Sequence, residues 1–360
     1  MVSKLKTYFP LIREREDLLA TIQSDKGLIS LYNSWAPARQ EEFISFCTGM
    51  KGIKILYDSF FKEVMSPEYA PERLEGFLSV LLKRKVKIVR ILPNDSTRIA
   101  DETSLLITDI IVELEDGSLA NVEIQKIGYT FPGERCACYS SDMLLRQYKR
   151  VRSLNGEGFS YNQIKNVYFI VIYEKSPKEF KKFPKDYYHY GKQLFDTGLQ
   201  LNMLQEYVMI PLDIFRKKME NKNIETVLEA WLTFMACDEP ERIIELITRF
   251  PEFKPMYEVL YQMCLNVERV MNMFSEELRI MDANTVKYMI EEQQQEIDKQ
   301  REQLEEKDSQ LKEKELQVVQ YMEAQKNAIR NLLLENMSVE KIVSLLNCDR
   351  TLVEAIKNEM

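Results

Sequence analysis

The sequence predicts an α/β fold: a mixed sheet core flanked by helices, then an α-helical region and a long C-terminal helix with the pattern of a weak coiled coil. Three stretches predict it. Residues 105 to 126 read as a β-hairpin of two Ile/Val/Leu-rich arms around Glu115-Asp116-Gly117. Ile164 to Glu174 is a near-continuous apolar run, the pattern of a strand buried on both faces. Residues 290 to 328 are rich in Glu, Gln and Lys, hold no Gly or Pro, and carry an apolar residue every seventh position. The expected organisation is an N-terminal helical extension (1–50), an α/β core (51–220), a helical extension of the core (221–289), a charged long helix (290–328) and a small helical tail (329–360).

From the N-terminus, Glu14 to Ile22 and Gln40 to Phe46 have mixed helical patterns and offer no chemistry. Phe60, Phe61 and Val64 form one apolar helix face. Pro67 and Pro71 bracket a loop, and Leu74, Phe77, Leu78 and Leu81 place a helix over 72–83. Residues 86 to 92 read as the first strand, decorated by Lys85, Lys87 and Arg90 and closed by Pro93-Asn-Asp-Ser. Its lysines either protect a sheet edge or meet a phosphate backbone, for which Lys87 is the candidate.

The hairpin follows. A three-residue loop, a type I turn closed by a glycine in the left-handed region, puts Gly117 at the turn. Leu114 then pairs with Ser118, and Asp109 falls opposite Glu123. Gln125 shares that face because side chains alternate along a strand. The other face is almost wholly apolar: Leu106, Thr108, Ile110, Val112 and Leu114 beside Ala120, Val122 and Ile124. Carboxylates directly opposite each other repel. A hard divalent cation relieves this, and Mg²⁺ accepts one or two carboxylates with water and phosphate oxygens. A solvated face with incidental acids is the plainer alternative.

This pattern resembles the PD-(D/E)XK nuclease superfamily, in the form of its recombination-promoting nuclease and transposase-like members. There an Asp ends one strand's motif, and Glu-x-Lys or Glu-x-Gln follows on the next. The matching residues are Asp109, Glu123 and Gln125. Thr108 stands where the superfamily's name has Pro, and Gln125 where most nucleases carry Lys; the Glu-x-Gln form suits this group. Tyr57 to Met65 and Glu72 to Leu82 are similar to the group's N-terminal helices, and Pro132 to Asp142 to the helix after the Glu strand. The resemblance runs over about residues 45 to 290 and implies a restriction-endonuclease-like core. It also implies an extra acid toward a metal from the helix before the hairpin, Glu75 or Glu72, and a contact near the site from Arg135 and Tyr139, with Arg135 meeting a substrate phosphate or bracing Glu123.

Past the hairpin, Arg135 to Arg152 reads as a helix with Ala137, Met143, Leu144 and Tyr148 inward. After the apolar strand, Lys178, Lys181, Lys182 and Lys185 alternate with Phe180, Phe183, Tyr187 and Tyr188. Such a mixture suits single-stranded nucleic acid and is also ordinary in a surface loop. Tyr207 to Phe215 reads as a further strand, placed at an edge by Pro211. From Ile224 to Met289 the pattern is helical packing. In the charged helix Ile290, Ile297, Leu304, Leu311 and Val318 make half of a coiled-coil seam, since Gln293, Gln300, Lys307 and Lys314 hold the positions three further on. Self-association through 290–328 is therefore expected to be weak or partner-dependent. Ser338 and Asp349 are expected N-caps of two terminal helices. These look like the short helix-turn-helix tails of transposase-related proteins, but their second helix has only Arg350 and Lys357 for reading DNA.

Composition narrows the chemistry. The 360 residues are 45% hydrophobic, enough for a large core, and no stretch approaches the ~20 apolar residues of a membrane span. The N-terminus leads to no apolar signal core, so a cytoplasmic protein is expected. Six cysteines form no Cys-x-x-Cys pair, and a single histidine, His189, argues against histidine-built metal centres and Ser-His-Asp triads. Hydrolysis would have to run on carboxylates, amides and a metal. The net charge of −8 does not itself point to nucleic acid, but acids concentrate near 291–317. The expected function is a Mg²⁺-dependent DNA endonuclease, with Mn²⁺ able to substitute, acting in recombination or on mobile elements. The alternative is a catalytically weak or inactive nuclease-fold scaffold that binds DNA or protein and assembles through its C-terminal helix.

Overall fold

The computed structural model describes residues 3–92, 109–126, 128 and 131–360. They form two compact units, Met1–Met289 and Ile290–Met360. The first opens with α1 (Arg15–Ser24), α2 (Lys26–Ser34), α3 (Pro37–Cys47), α4 (Asp58–Met65) and α5 (Pro71–Leu81). Strands β1 (Ile88–Leu92), β2 (Asp109–Leu114) and β3 (Leu119–Gln125) lead to α6 (Pro132–Asn155). Then come β4 (Val167–Tyr173), β5 (His189–Lys192), β6 (Gln205–Pro211), α7 (Leu212–Met219), α8 (Val227–Ala236), α9 (Pro240–Arg249) and α10 (Lys254–Met263). The helix α11 (Val267–Leu334) begins in the first unit and runs into the second, which ends with α12 (Val339–Leu346) and α13 (Arg350–Glu359).

The six strands lie in the order β1-β2-β3-β4-β6-β5. β1, β2 and β3 are antiparallel neighbours, β3, β4 and β6 are parallel, and β5 returns antiparallel on β6. The hairpin has the expected register. Gly117 sits at φ +81°. Its N–H donates to the Leu114 carbonyl, and the Leu114 N–H to the Ser118 carbonyl, both at 2.8 Å. An L-residue at that φ is strained, so glycine is the economical choice. The arm residues Leu106 and Thr108 and the Pro93-Asn-Asp-Ser segment lie outside the described residues.

β3 and β4 are buried along their whole length. On one face Ala120, Val122, Ile124, Ile170, Ile172, Val208 and Ile210 join the main core with residues of α4, α5, α8 and α10. The N-terminal helices share this core: Phe9 packs on Tyr261 at 5.1 Å and Trp35 on Phe274 at 5.1 Å. On the other face Leu119, Val167, Phe169, Val171 and Tyr173 pack under Cys136 and Met143 of α6. Buried Gln147 fastens α6 to the hairpin, donating to the Gly117 carbonyl at 3.2 Å and accepting from the Lys165 N–H at 2.8 Å. α6 begins with Pro132, whose fixed φ suits a first helical position.

The strand expected over Tyr207 to Phe215 is corrected in both extent and place: it ends at Pro211, and Leu212 to Phe215 open α7. β6 is not an edge strand, because the four-residue β5 covers it. β5 pairs with β6 only as far as Met209, so Pro211 lies beyond the ladder and its missing N–H breaks no bond to β5. In the second unit, Ile329 of α11 packs with Ile342, Val353 and Ile356. The Asp349 side chain caps α13 through the Thr351 N–H, whereas Ser338 occupies the N-cap of α12 without a side-chain bond. Ile290, Ile297, Leu304, Leu311 and Val318 are exposed along α11.

Beyond the end of β3, buried Lys126 forms an ion pair with buried Glu277 of α11 and lies 4.6 Å from the Tyr57 ring centre. The other Glu277 oxygen accepts the Asp58 N–H at 2.7 Å, at the start of α4. Removing one partner strands the other charge in the core. Glu277→Ala should therefore lower unfolding stability by about 3–5 kcal/mol, and Lys126→Met with Glu277→Leu should recover most of that loss. Denaturant titrations of the three proteins check this.

Candidate active site

Three elements converge where β3 ends. From β3, Asn121, Glu123 and Gln125 project a buried polar row onto the α6 face. From β2, Asp109 stands opposite Glu123. From α6, the first turns bring Arg135, Cys136 and Tyr139. Because Leu114 and Ser118 form a hydrogen-bonded position, alternation makes Asp109 and Glu123 a non-hydrogen-bonded pair, in which Cα atoms approach to about 4.5 Å. The hairpin thus sets two acidic residues at the closest spacing a sheet provides.

Glu123 is 3% exposed. Gln125 Nε2 donates to its Oε1 at 2.5 Å, while Oε2 is buried with no hydrogen-bond partner among the described residues. Asn121 Oδ1 is in the same position. Burial raises the Glu123 carboxyl above its ordinary range, against the Gln125 bond and the Arg135 charge, which lower it. Arg135 reaches Tyr139 OH at 3.5 Å, and the Tyr139 ring stacks on Phe169 at 6.2 Å. Tyr173 lies beside Gln125 in the β3–β4 register. Its buried hydroxyl is raised by burial, and the nearby Cys136 thiol is pushed up to about 12, again chiefly by burial.

A buried carboxylate with an unused oxygen, facing a second acid across a narrow pair, fits a divalent cation. Among the described residues no three of His, Cys, Asp and Glu converge to hold a metal. The two acids that the hairpin register sets opposite each other, Asp109 and Glu123, are the residues that could hold such an ion.

Not all candidates gather here. Glu75 accepts the Ile88 N–H at 2.9 Å, and Ile88 pairs with Leu114. That is the turn end of the hairpin, roughly 17 Å along β2 from Asp109. Lys87 is exposed at the same end, its carbonyl taking the Glu115 N–H at 2.9 Å. The structure groups Glu123, Gln125, Arg135 and Tyr139 with the Asp109 position and sets Glu75 and Lys87 apart. Sequence reasoning passed over Asn121, Cys136 and Tyr173. The signal for Asn121 was available, as a polar residue two before Glu123 on the same strand face. Cys136 and Tyr173 join through packing of α6 on β4, which no local pattern reveals.

A family model described as PD-(D/E)XK nuclease family transposase matches residues 55–301. The chain belongs to this family. Its six-stranded mixed sheet with flanking helices is the restriction-endonuclease-like core, and Asp109, Glu123, Gln125, Arg135 and Tyr139 all fall inside the match. No curated protein and no solved structure matches the chain. Among the described residues no helix is long and apolar enough to cross a membrane.

Because burial raises the Glu123 carboxyl, the folded state binds its proton more tightly than the unfolded chain. Without metal, its ionisation therefore destabilises the fold as pH rises from the unfolded carboxylate range. Metal-free Glu123→Gln should melt higher than wild type at pH 7, and the gap should close in acid below about pH 4. Mg²⁺ should raise the midpoint of wild type but not of the variant. Thermal melts with and without chelator check this.

Proposed function

We propose that this PD-(D/E)XK family chain is a divalent-metal-dependent DNA endonuclease that serves recombination or mobile-element movement. The observation that carries the reading is the opposition of Asp109 to Glu123, with Glu123 bonded on one oxygen by Gln125 and, among the described residues, unbonded on the other. Asp109 and Glu123 would hold Mg²⁺, or Mn²⁺ in its place. Such an ion supplies Lewis-acid polarisation of the scissile phosphate and eases loss of a proton from water. Gln125 keeps the Glu123 carboxylate oriented, and its amide can position the attacking water. Arg135, at the start of α6, offsets phosphate charge beside the pair, and Tyr139 holds the guanidinium in place.

Gln125 lends no positive charge where a lysine would, so phosphate charge falls to Arg135 and the metal. This favours slow turnover. Exposed Ile290, Ile297, Leu304, Leu311 and Val318 support weak self-association of the second unit, a way to bring two nuclease units to one DNA.

Purified full-length chain should nick supercoiled plasmid in Mg²⁺ or Mn²⁺ and not in chelator. Asp109→Ala and Glu123→Ala should each abolish nicking, and Gln125→Ala and Arg135→Ala should each lower the rate by about 10²-fold, the effect of losing one positioned donor. A wild type as inert as these variants on plasmid, single-stranded DNA and RNA would contradict the reading and leave a binding scaffold.

A further inference from the structure

The register carries the site row across the whole sheet. Glu123 pairs with Val171, Val171 with Met209, and Met209 with His189. His189 therefore stands on the Glu123 row and face, three strands away, or about 14 Å. It is the chain's only histidine, and its ring lies 5.2 Å from Phe180 and 5.9 Å from Phe183.

Those phenylalanines belong to the loop that leaves the C-terminal end of β4, the end where Gln125 also lies. The loop presses on the exit of β3: a Cβ at Gly128 would sit 2.5 Å from Pro177 N. Phe180 is buried against Tyr173, with ring centres 5.1 Å apart, and pins a short turn. Backbone bonds from Phe183 to Phe180 at 2.9 Å and from Asp186 to Phe183 at 3.1 Å hold the turn in shape. On this anchored turn Phe183 is 54% exposed. Between Lys178 and Lys185 four lysines stand against one acid, Glu179. Lys181 is held by Asp213, while Lys178, Lys182 and Lys185 are exposed and form no ion pair among the described residues.

We propose that Phe183, Lys178, Lys182 and Lys185 form a binding surface for an unpaired DNA strand leading to the Asp109–Glu123 site. Lysines alone would grip any phosphate backbone, but an exposed ring among them stacks on a base, and only an unpaired base offers its face. The step from Glu123 to His189, the residue Phe183 packs against, is about the length of four stacked nucleotides at ~3.4 Å each. The turn is already ordered, so binding spends little entropy on arranging it. The segment from Lys178 to Lys185 is thus positive although the chain as a whole is acidic. The direction of the strand toward Glu123 rests on the nuclease reading, whereas the binding itself does not.

The test is fluorescence anisotropy of full-length protein with short dye-labelled oligo-dT and a duplex of equal length, in EDTA so that no cleavage intervenes. Phe183→Ala should weaken oligo-dT binding by about tenfold and duplex binding by much less, and Phe183→Trp should retain it. Lys178, Lys182 and Lys185 all changed to Gln should weaken both and lower the single-strand salt slope by about 2. Unchanged melting curves confirm that these surface variants fold. Wild-type affinity in the variants, equal losses for duplex and single strand in Phe183→Ala, or no oligo-dT binding by wild type would each overturn the proposal. Plasmid nicking together with unchanged loop variants defeats this inference alone; loop-dependent binding without any metal-dependent cleavage defeats the nuclease reading alone.

Discussion

Which residue faces Glu123 depends on the turn at Gly117. A slip of one residue would turn every β2 side chain to the other face, sending Asp109 into the apolar core and Ile110 into the polar row. The positive φ of Gly117 fixes the loop at three residues, and the loop fixes the register. Burial enforces the same choice from the far side. Ile110, Val112, Ala120, Val122 and Ile124 must all meet the main core, and only one register allows that. Turn chemistry and hydrophobic pattern agree on one register, and that register sets Asp109 opposite Glu123.

α6 converts that hairpin into an enclosed site. Gln147 ties the helix to the turn, Met143 and Tyr139 pack on the sheet, and the first turn ends up over Glu123. The consequence is a polar row under a helix, which costs desolvation energy unless something satisfies it. Gln125 answers for one oxygen of Glu123, and no other described residue bonds the second. The cost of that burial falls on Glu123, whose carboxyl it raises above its ordinary range. On the opposite face Lys126 and Glu277 neutralise each other as a buried ion pair.

Much of this was readable in the sequence because the deciding signals are local. The hairpin register follows from Gly117 and alternation, the burial of β4 from its apolar run, and the start of α6 from a proline. The parts that were not readable depend on pairings between distant segments. Pro211 points to an edge for β6, and the four-residue β5 that covers it is too short to leave a sequence pattern. Glu75 and Lys87 looked near the acids because nothing in β1 says which end of β2 it meets. Lys126 and Glu277 are brought together by a helix that starts far downstream. The lysines and aromatics after β4 were visible as a composition, but their place on the Glu123 row appears only when β5 and β6 are threaded into the sheet.

We propose that Asp109 and Glu123 jointly hold a divalent cation. Calorimetric titration of Mn²⁺ and Mg²⁺ into full-length wild type, Asp109→Ala and Glu123→Ala tests it most directly. Wild type should show a binding event that either substitution removes. Equal binding in all three proteins, or none in wild type, would contradict it.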